Sequence, residues 1–464
     1  MATKVKNMTT GNPGKLILFF ALPLMAGNVC QQLYTVVDTA VVGKGLGVDA
    51  LAAVGAADWF HWMILGSIQG FAQGFCILMA QKFGAGDIAG LRKVIANAVW
   101  LALACAVVIT TAGELAARPV LTLLSTPDRI MDMSLLYLRI LLGGMPIVMA
   151  YNLLASILRA MGDGKTPLYA MVWASCINIV LDLLFVLVFR WGIAGAAIAT
   201  LLAQAFSSVY CLWFILHIPT LGLSAGDFFD RESGKWFSRD WKLRWQLFRL
   251  GFPMALQNII IAVGGMIVQS VVNGFGLTFI AGYTATNKLY GLLEIAAVSY
   301  GYAVSTYVGQ NAGAAEIRRI HRGVRAALLL AVATSVVIGA CMLLFGKMVL
   351  SIFLSGSEEE VAAAMGTAYR YLSIMSCMLP VLYILHVIRS ALQGMGDTVM
   401  PMASGFAEFL MRTGTALTLP ARIGGDGVFV AEILAWVGAD VILIGSYLVR
   451  MHRLDREYPQ IVHN

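Results

Sequence analysis

The feature that most limits what this chain can fold into is a series of apolar runs too long for the core of a soluble domain. Residues 16–43, 98–117, 168–189, 193–218, 323–345 and 427–449 each approach or exceed the roughly 20 residues that a membrane-spanning helix needs. Including runs broken by single polar residues, twelve spans are predicted, at 14–43, 50–80, 94–116, 131–158, 167–189, 193–217, 246–274, 277–309, 323–346, 364–391, 400–420 and 427–450. Several are longer than 25 residues, so their ends should project beyond the hydrocarbon or tilt. Composition agrees: 59% of residues are hydrophobic and 12% are charged, too few polar groups to cover a water-facing surface. Nothing between the spans has the length of a soluble domain. The first run is too long for a removable signal and lacks a small-residue cleavage site.

Charge sets the orientation. With both termini placed in the cytoplasm, the cytoplasmic ends and loops hold 22 of the 32 Lys and Arg, and the outer loops hold 6. Arg139, Lys288, Arg370 and Arg412 fall inside spans. Arg318, Arg319, Arg322 and Arg325, together with the loop from Arg231 to Arg249, carry much of this positive-inside bias. The net charge of +7 therefore reads as topology and contact with anionic lipid, and no nucleic-acid partner is expected. The expected location is the inner cell membrane, multi-pass, with both termini cytoplasmic.

Catalytic signatures are missing from the sequence. Cys30, Cys76, Cys105, Cys176, Cys211, Cys341 and Cys377 all lie in apolar spans, outside any paired motif, and read as small packing hydrophobes. There is no zinc-ligand spacing and no Ser-His-Asp arrangement. Gly43, Gly45 and Gly47 close the first span at a turn and have no Lys-Ser/Thr partner for a phosphate loop. Neither enzymatic activity nor a cofactor is expected.

The chain repeats itself. Ala21-Leu22-Pro23 aligns with Gly251-Phe252-Pro253, and the stretch from Gln81 to Asp87 with that from Gln310 to Glu316. Tyr137 and Pro146 align with Tyr371 and Pro380, and Met161-Gly162-Asp163 with Met395-Gly396-Asp397. The offsets stay between 229 and 234. Six spans per unit is an even number, so the halves are parallel repeats, an arrangement in which transporters hold substrate between the halves. The expected domains are an amino-terminal six-helix lobe (1–217), a cytoplasmic interfacial linker (218–245), a carboxy-terminal six-helix lobe (246–450) and a cytoplasmic tail (451–464). In the linker, Trp236, Phe237, Trp241 and Trp245 alternate with Lys235, Arg239, Lys242 and Arg244, the pattern of an amphipathic segment at the headgroups. The fold class is thus all-α polytopic membrane protein, with two homologous lobes and a central cleft.

These residues resemble the multidrug and toxic compound extrusion (MATE) family. The resemblance rests on Pro23 with QLYTVVDTAVVG (Gln32 to Gly43), QKFGAGD (Gln81 to Asp87), LRAMGDGKTP (Leu158 to Pro167) and LQGMGD (Leu392 to Asp397), and covers roughly residues 10–450. It implies a twelve-helix antiporter that exports substrates against an inward cation gradient.

Intramembrane ionisable residues point to the coupling chemistry, since a carboxylate at the bilayer centre is costly. Asp38 and Asp182 are the deep carboxylates of the first half, Asn178 shares a helix face with Asp182, and Thr200 lies mid-span in the next helix. An all-oxygen set of this kind suits a proton or a hard cation such as sodium. The resemblance implies more: Asp38, Asn178, Asp182 and Thr200 match the amino-lobe cation site of the branch that includes the DNA-damage-inducible protein F, and Pro23 matches the proline at which its first helix bends. The sodium-coupled branch with a carboxyl-lobe site carries an acidic residue where this chain has Ile261.

The second half holds Glu294, Glu408, Arg412 and Glu432. Glu408 and Arg412, one helical turn apart, are expected to pair, which leaves Glu432 as the unpaired acid for attracting a cationic substrate. Asp58, His61 and Lys288 are cavity candidates, and His61 is a candidate pH sensor. The resemblance implies that the second and eighth spans, which carry Asp58 and Lys288, face each other across the cleft, either as a pair made in one state or as two separately solvated residues. The expected function is proton- or sodium-coupled export of small amphipathic, cationic organic compounds by a functional monomer in contact with membrane lipids. The alternative is a flippase for a lipid-linked saccharide precursor, which would place more cationic residues in its cavity.

Overall fold

A computed structural model describes residues 5–230, 235–236, 240–354 and 357–457. It is almost entirely helical. The first half contains α1 (Pro13–Leu46), α2 (Val48–Gly84), α3 (Ile88–Leu123), α4 (Asp128–Gly143), α5 (Met145–Ala160), α6 (Lys165–Asp182) and α7 (Gly192–Leu216). A two-residue β-ribbon, β1 (Phe229–Asp230) antiparallel to β2 (Lys235–Trp236), precedes the second half. There follow α8 (Trp241–Val272), α9 (Leu277–Gly313), α10 (Ile317–Leu350), α11 (Glu358–Gly394), α12 (Val399–Thr418), the single turn α13 (Pro420–Ile423) and α14 (Asp426–Glu457).

Nine helices among the described residues are long and apolar enough to cross a membrane, and the bent pair α4 and α5 makes a tenth span. The predicted segments at α9 and α12 are also continuous helices, but polar residues such as Lys288, Glu294, Glu408 and Arg412 dilute their apolar character. The fourth predicted span, 131–158, is not straight: it breaks by 44° between Gly143 and Met145. Its repeat counterpart α11 runs unbroken through Pro380. The difference lies in what precedes the proline. Gly143 and Gly144 come before Met145-Pro146, whereas Cys377 and Met378 come before Leu379-Pro380, and a glycine pair in the turn before a proline leaves neither the hydrogen bond nor the side chains that resist a kink.

The sequence motifs shared by the halves are helix punctuation. Gly162 (φ 79°) and Gly396 (φ 86°) end α5 and α11 in the left-handed conformation. The aspartate after each caps the next helix. Asp163 accepts from the backbone N–H of Lys165 and Thr166 at 3.0 Å and from the Thr166 hydroxyl at 2.6 Å; Asp397 accepts from the N–H of Met400 at 3.2 Å. Asp87 does the same for α3, accepting from the N–H of Gly90 at 2.7 Å and from Lys82 Nζ at 2.9 Å. Those two donors, Lys82 foremost, hold the Asp87 carboxyl below the usual carboxylate range.

The chain condenses into two units that are not coextensive with the sequence repeats. Unit 1 comprises the residues up to Thr9 and Leu22–Ile259. In it the first part of α8 packs against α2 through small residues. Gly66, Gly70 and Gly74 form a stripe at four-residue intervals, Gly70 against Ala255 and Gly74 against Gly251, with the Asn258 amide donating to the Gly66 carbonyl at 2.8 Å. Unit 2 comprises Thr10–Ala21 and the residues from Ile260 onward. Its core includes a column of stacked rings, Tyr283 on Tyr371 on Phe429 on Phe279, with centroids 5.1, 4.5 and 5.6 Å apart.

The linker differs from the amphipathic segment expected. Trp241, Lys242, Arg244 and Trp245 belong to the first turns of α8. Trp241 and Trp245 are exposed, as interfacial anchors would be, but Arg244 is buried: its Nε donates to Asn97 Oδ1 at 3.0 Å and its guanidinium lies 4.1 Å from the Trp100 ring centroid. Phe237 and Arg239 lie outside the described residues.

Candidate functional site

Unit 1 contains a polar centre among apolar helices. Helix α1 carries Tyr34 and Asp38 one turn apart, α2 carries Asp58, α4 Tyr137, α6 Asn178 and Asp182, and α7 Gln204. The carboxyl groups of Asp38 and Asp182 are close neighbours, Asp58 acts on Asp38 through space, and Tyr137 lies within electrostatic reach of all three carboxylates. The Tyr34 hydroxyl stands beside Gln31 and Gln204. Asp182 is fully buried and Asn178 is 1% exposed. Directly after Asp182 the helix widens to a π-helix, Leu183–Val188, a local form common at functional sites.

The geometry leaves a donor missing. Both oxygens of Asp182, Oδ1 of Asp38 and both polar atoms of the Asn178 amide are buried without a hydrogen-bond partner. Two ionised carboxylates can only accept, so nothing links them until one proton or one cation enters between them. The sequence-predicted residues Asp38, Asn178 and Asp182 thus fit a proton or a hard cation. Thr200 differs: its hydroxyl donates to the Ala196 carbonyl of its own helix at 3.1 Å. Helix α1 continues through Pro23 without a break, and the division between the two units falls beside it, between Ala21 and Leu22. Asp58 joins the carboxylate group of unit 1 through its effect on Asp38. His61 is half-buried, its Nδ1 without a partner, and Lys288 is exposed on α9 of unit 2. Tyr34, Tyr137 and Gln204 are not among the site residues expected from sequence; Tyr34 lies inside the motif around Asp38, and Tyr137 recurs in the repeat as Tyr371.

Unit 2 contains a second polar centre, built from ion pairs. Glu408 accepts from Arg389 Nη2 at 2.8 Å and from Arg412 Nη2 at 2.9 Å, and Arg412 Nη2 also reaches Glu432 Oε1 at 2.8 Å. The expected Glu408–Arg412 pair is present. The expectation of an unpaired Glu432 is corrected: α12 and α14 pack side by side and bring Glu432 onto the same guanidinium. Glu294 faces His386, Oε1 to Nε2 3.6 Å, and Asp440 lies close to Arg389 and Glu408. Sequence reasoning missed His386, Arg389 and Asp440. Asp440 sits in the middle of the last apolar run, so its insertion cost was a readable signal; Arg389, near the end of its run, read as a cytoplasmic flank.

A paired-unit helical bundle with ionisable centres inside each unit defines a polytopic membrane transporter. The chain belongs to the MatE family, whose model matches residues 23–184 and 253–417, one segment in each sequence repeat. It is 28% identical over 426 residues to the probable multidrug resistance protein YpnP of Bacillus subtilis, with 92% of each chain covered. It is 24% identical over 442 residues to a probable multidrug resistance protein NorM of Thermotoga maritima, covering 92% of this chain and 89% of the other. Its fold matches a MOP superfamily transporter from Pyrococcus furiosus at TM-score 0.89, with 23% identity and 98% and 99% coverage. An outward-facing multidrug resistance MATE family transporter of the MOP superfamily matches at TM-score 0.88, with 24% identity and 98% and 100% coverage.

Proposed function

We propose that this chain exports small amphipathic, cationic organic compounds in exchange for protons or sodium ions. The observation that carries the reading is the Asp38–Asp182 pair, two buried carboxyl groups that lack a shared donor. Neutralising the pair removes the repulsion between the two carboxylates and the cost of charge in an apolar interior. Because Asp38 is on α1 and Asp182 on α6, loading draws the two helices together. Pro23 lacks a backbone N–H, so α1 is weakened in the turn that precedes it, at the Ala21–Leu22 division, and can change shape there. One positive charge returning down 100 mV releases about 2.3 kcal/mol, which the exit of a monovalent cationic substrate uses up. A one-for-one exchange is therefore driven by the ion's concentration gradient, and a second inward charge is what uses the potential.

The set Asp38, Asn178 and Asp182 supports the branch that includes the DNA-damage-inducible protein F, with sodium, if it is the ion, held by these oxygens. The multidrug-resistance names of the relatives support drug export over the flippase alternative, and the acidic character of the unit 1 centre suits a cation better than a lipid pyrophosphate. A non-enzymatic role, an inner-membrane location with cytoplasmic termini and a working monomer complete the proposal. Uptake of a fluorescent cationic dye by inverted vesicles, driven separately by a pH and by a sodium gradient, tests it. Dye movement with either gradient supports export; movement of lipid-linked phosphate with no response to either gradient overturns it.

A further inference from the structure

The polar centre of unit 2 poses the same chemical problem as the carboxylate pair of unit 1, with different residues. His386 Nδ1 lies 3.0 Å from the Leu382 carbonyl oxygen. A carbonyl oxygen only accepts, so Nδ1 carries the hydrogen. In the neutral ring Nε2 is then a bare lone pair, and it points at Glu294 Oε1 3.6 Å away. Neither group can donate to the other: the contact is made only when a proton sits on one of them.

Among the described residues, the nearby arginines supply no alternative partner. Both arginines nearby are committed, Arg389 to Glu408 and Arg412 to Glu408 and Glu432. Beyond these charges, Tyr290 on α9 and Tyr383 on α11 face Glu294, and the Tyr383 hydroxyl is donated to the Leu293 carbonyl at 2.8 Å. Asp440, 7% exposed and close to Arg389 and Glu408, has Oδ1 buried without a hydrogen-bond partner. Four acids therefore stand against two arginines. Glu294, with 34% of its side chain exposed, is the most accessible of the four, and a proton taken up there is the smallest ligand that reduces the excess of negative charge.

We propose that Glu294 and His386 form a proton-binding site within unit 2, holding one proton between Oε1 and Nε2 and chemically independent of the Asp38–Asp182 pair. The proton comes from water and returns to water, and only an N–H or O–H bond forms or breaks. As a role in transport, this site rests on the proposed proton-coupled export and adds a second proton to it; proton binding itself does not depend on that reading.

The test is a nuclear magnetic resonance titration of the purified full-length chain in lipid nanodiscs, with no substrate and no gradient. The histidine rings carry ¹⁵N and the glutamate carboxyls ¹³C, and His386→Gln identifies the His386 signal. One glutamate and His386 should titrate with a common midpoint, and Glu294→Gln should remove that step from His386. If Glu294→Gln does not fold, the wild-type and His386→Gln spectra still carry the test, because the deep acids of unit 1, Asp38, Asp58 and Asp182, are all aspartates and add no glutamate signal. A neutral His386 beside an ionised Glu294 from mildly acidic to mildly alkaline pH overturns the proposal, as does a His386 step unchanged in Glu294→Gln. A common midpoint in a chain that moves no dye sustains the site while removing the transport reading.

Discussion

Nη2 of Arg412 lies 2.8 Å from Oε1 of Glu432 and is shared with Glu408 at 2.9 Å, so one guanidinium holds carboxylates from α12 and α14 together. All three side chains are at most 14% exposed. Removing the cation strands Glu432 and leaves Glu408 to Arg389 alone, which is far costlier than removing one acid from a network that keeps its partner. Arg412→Met should lower stability by about 3–5 kcal/mol, while Glu432→Gln should cost much less. Thermal unfolding of the two purified variants in the same detergent compares them, and equal losses would count against the shared-guanidinium account.

At the unit 1 centre, Asp38→Asn and Asp182→Asn should each abolish gradient-driven efflux while leaving folding and substrate binding largely intact. The double variant should be no worse than either single one, because the two carboxyls act as one site. Efflux from everted vesicles, with dye binding measured separately, gives both readouts. Wild-type efflux in Asp38→Asn under both gradients would place coupling elsewhere.

Repeat-related positions allow a paired backbone test. Gly86 (φ 71°) and Ala315 (φ 57°) occupy the same left-handed position after α2 and α9, where an L side chain is strained. Gly86→Ala should destabilise by about 1 kcal/mol, and Ala315→Gly should stabilise by up to about 1 kcal/mol. Opposite shifts in melting temperature are expected; shifts of the same sign would contradict the strain argument.

The crossing of α2 and the first part of α8 has no room for side chains. A methyl group at Gly70 would collide with the backbone of Ala255, and one at Gly74 with that of Gly251. Gly74→Ala should therefore cost about 1–3 kcal/mol, and Gly55→Ala, in open space on the same helix, should be neutral or better. Melting temperatures of the pair decide this.

Orientation is checked by chemistry on the intact cell. An impermeant thiol reagent added outside should label single cysteines engineered near Lys44 and Arg422 but not near Lys235. External labelling at 235 would reverse the topology derived from the positive-inside bias.

The sequence by itself determined the membrane class, the helical segments, the twofold repeat and the carboxylates Asp38 and Asp182, because each is a local signal. An apolar run of span length, a motif recurring at a fixed offset and an acid inside such a run each have a meaning before any contact forms. Even the turn motifs were readable as recurring Gly-Asp pairs, and the structure supplies their reason as C-cap and N-cap. What only the tertiary structure decided is which charges meet. Glu432 is alone on its stretch of sequence and paired in space, since Arg412 reaches it from a neighbouring helix. Arg389, at the margin of an apolar run, turns inward to Glu408, and Arg244, in a basic linker, turns inward to Trp100. The kink at Gly144 and the continuity at Pro380 likewise depended on neighbours of the proline rather than on the proline itself. In an apolar medium a charge goes where a partner stands, and the partner's address is set by helix packing between segments far apart in the chain.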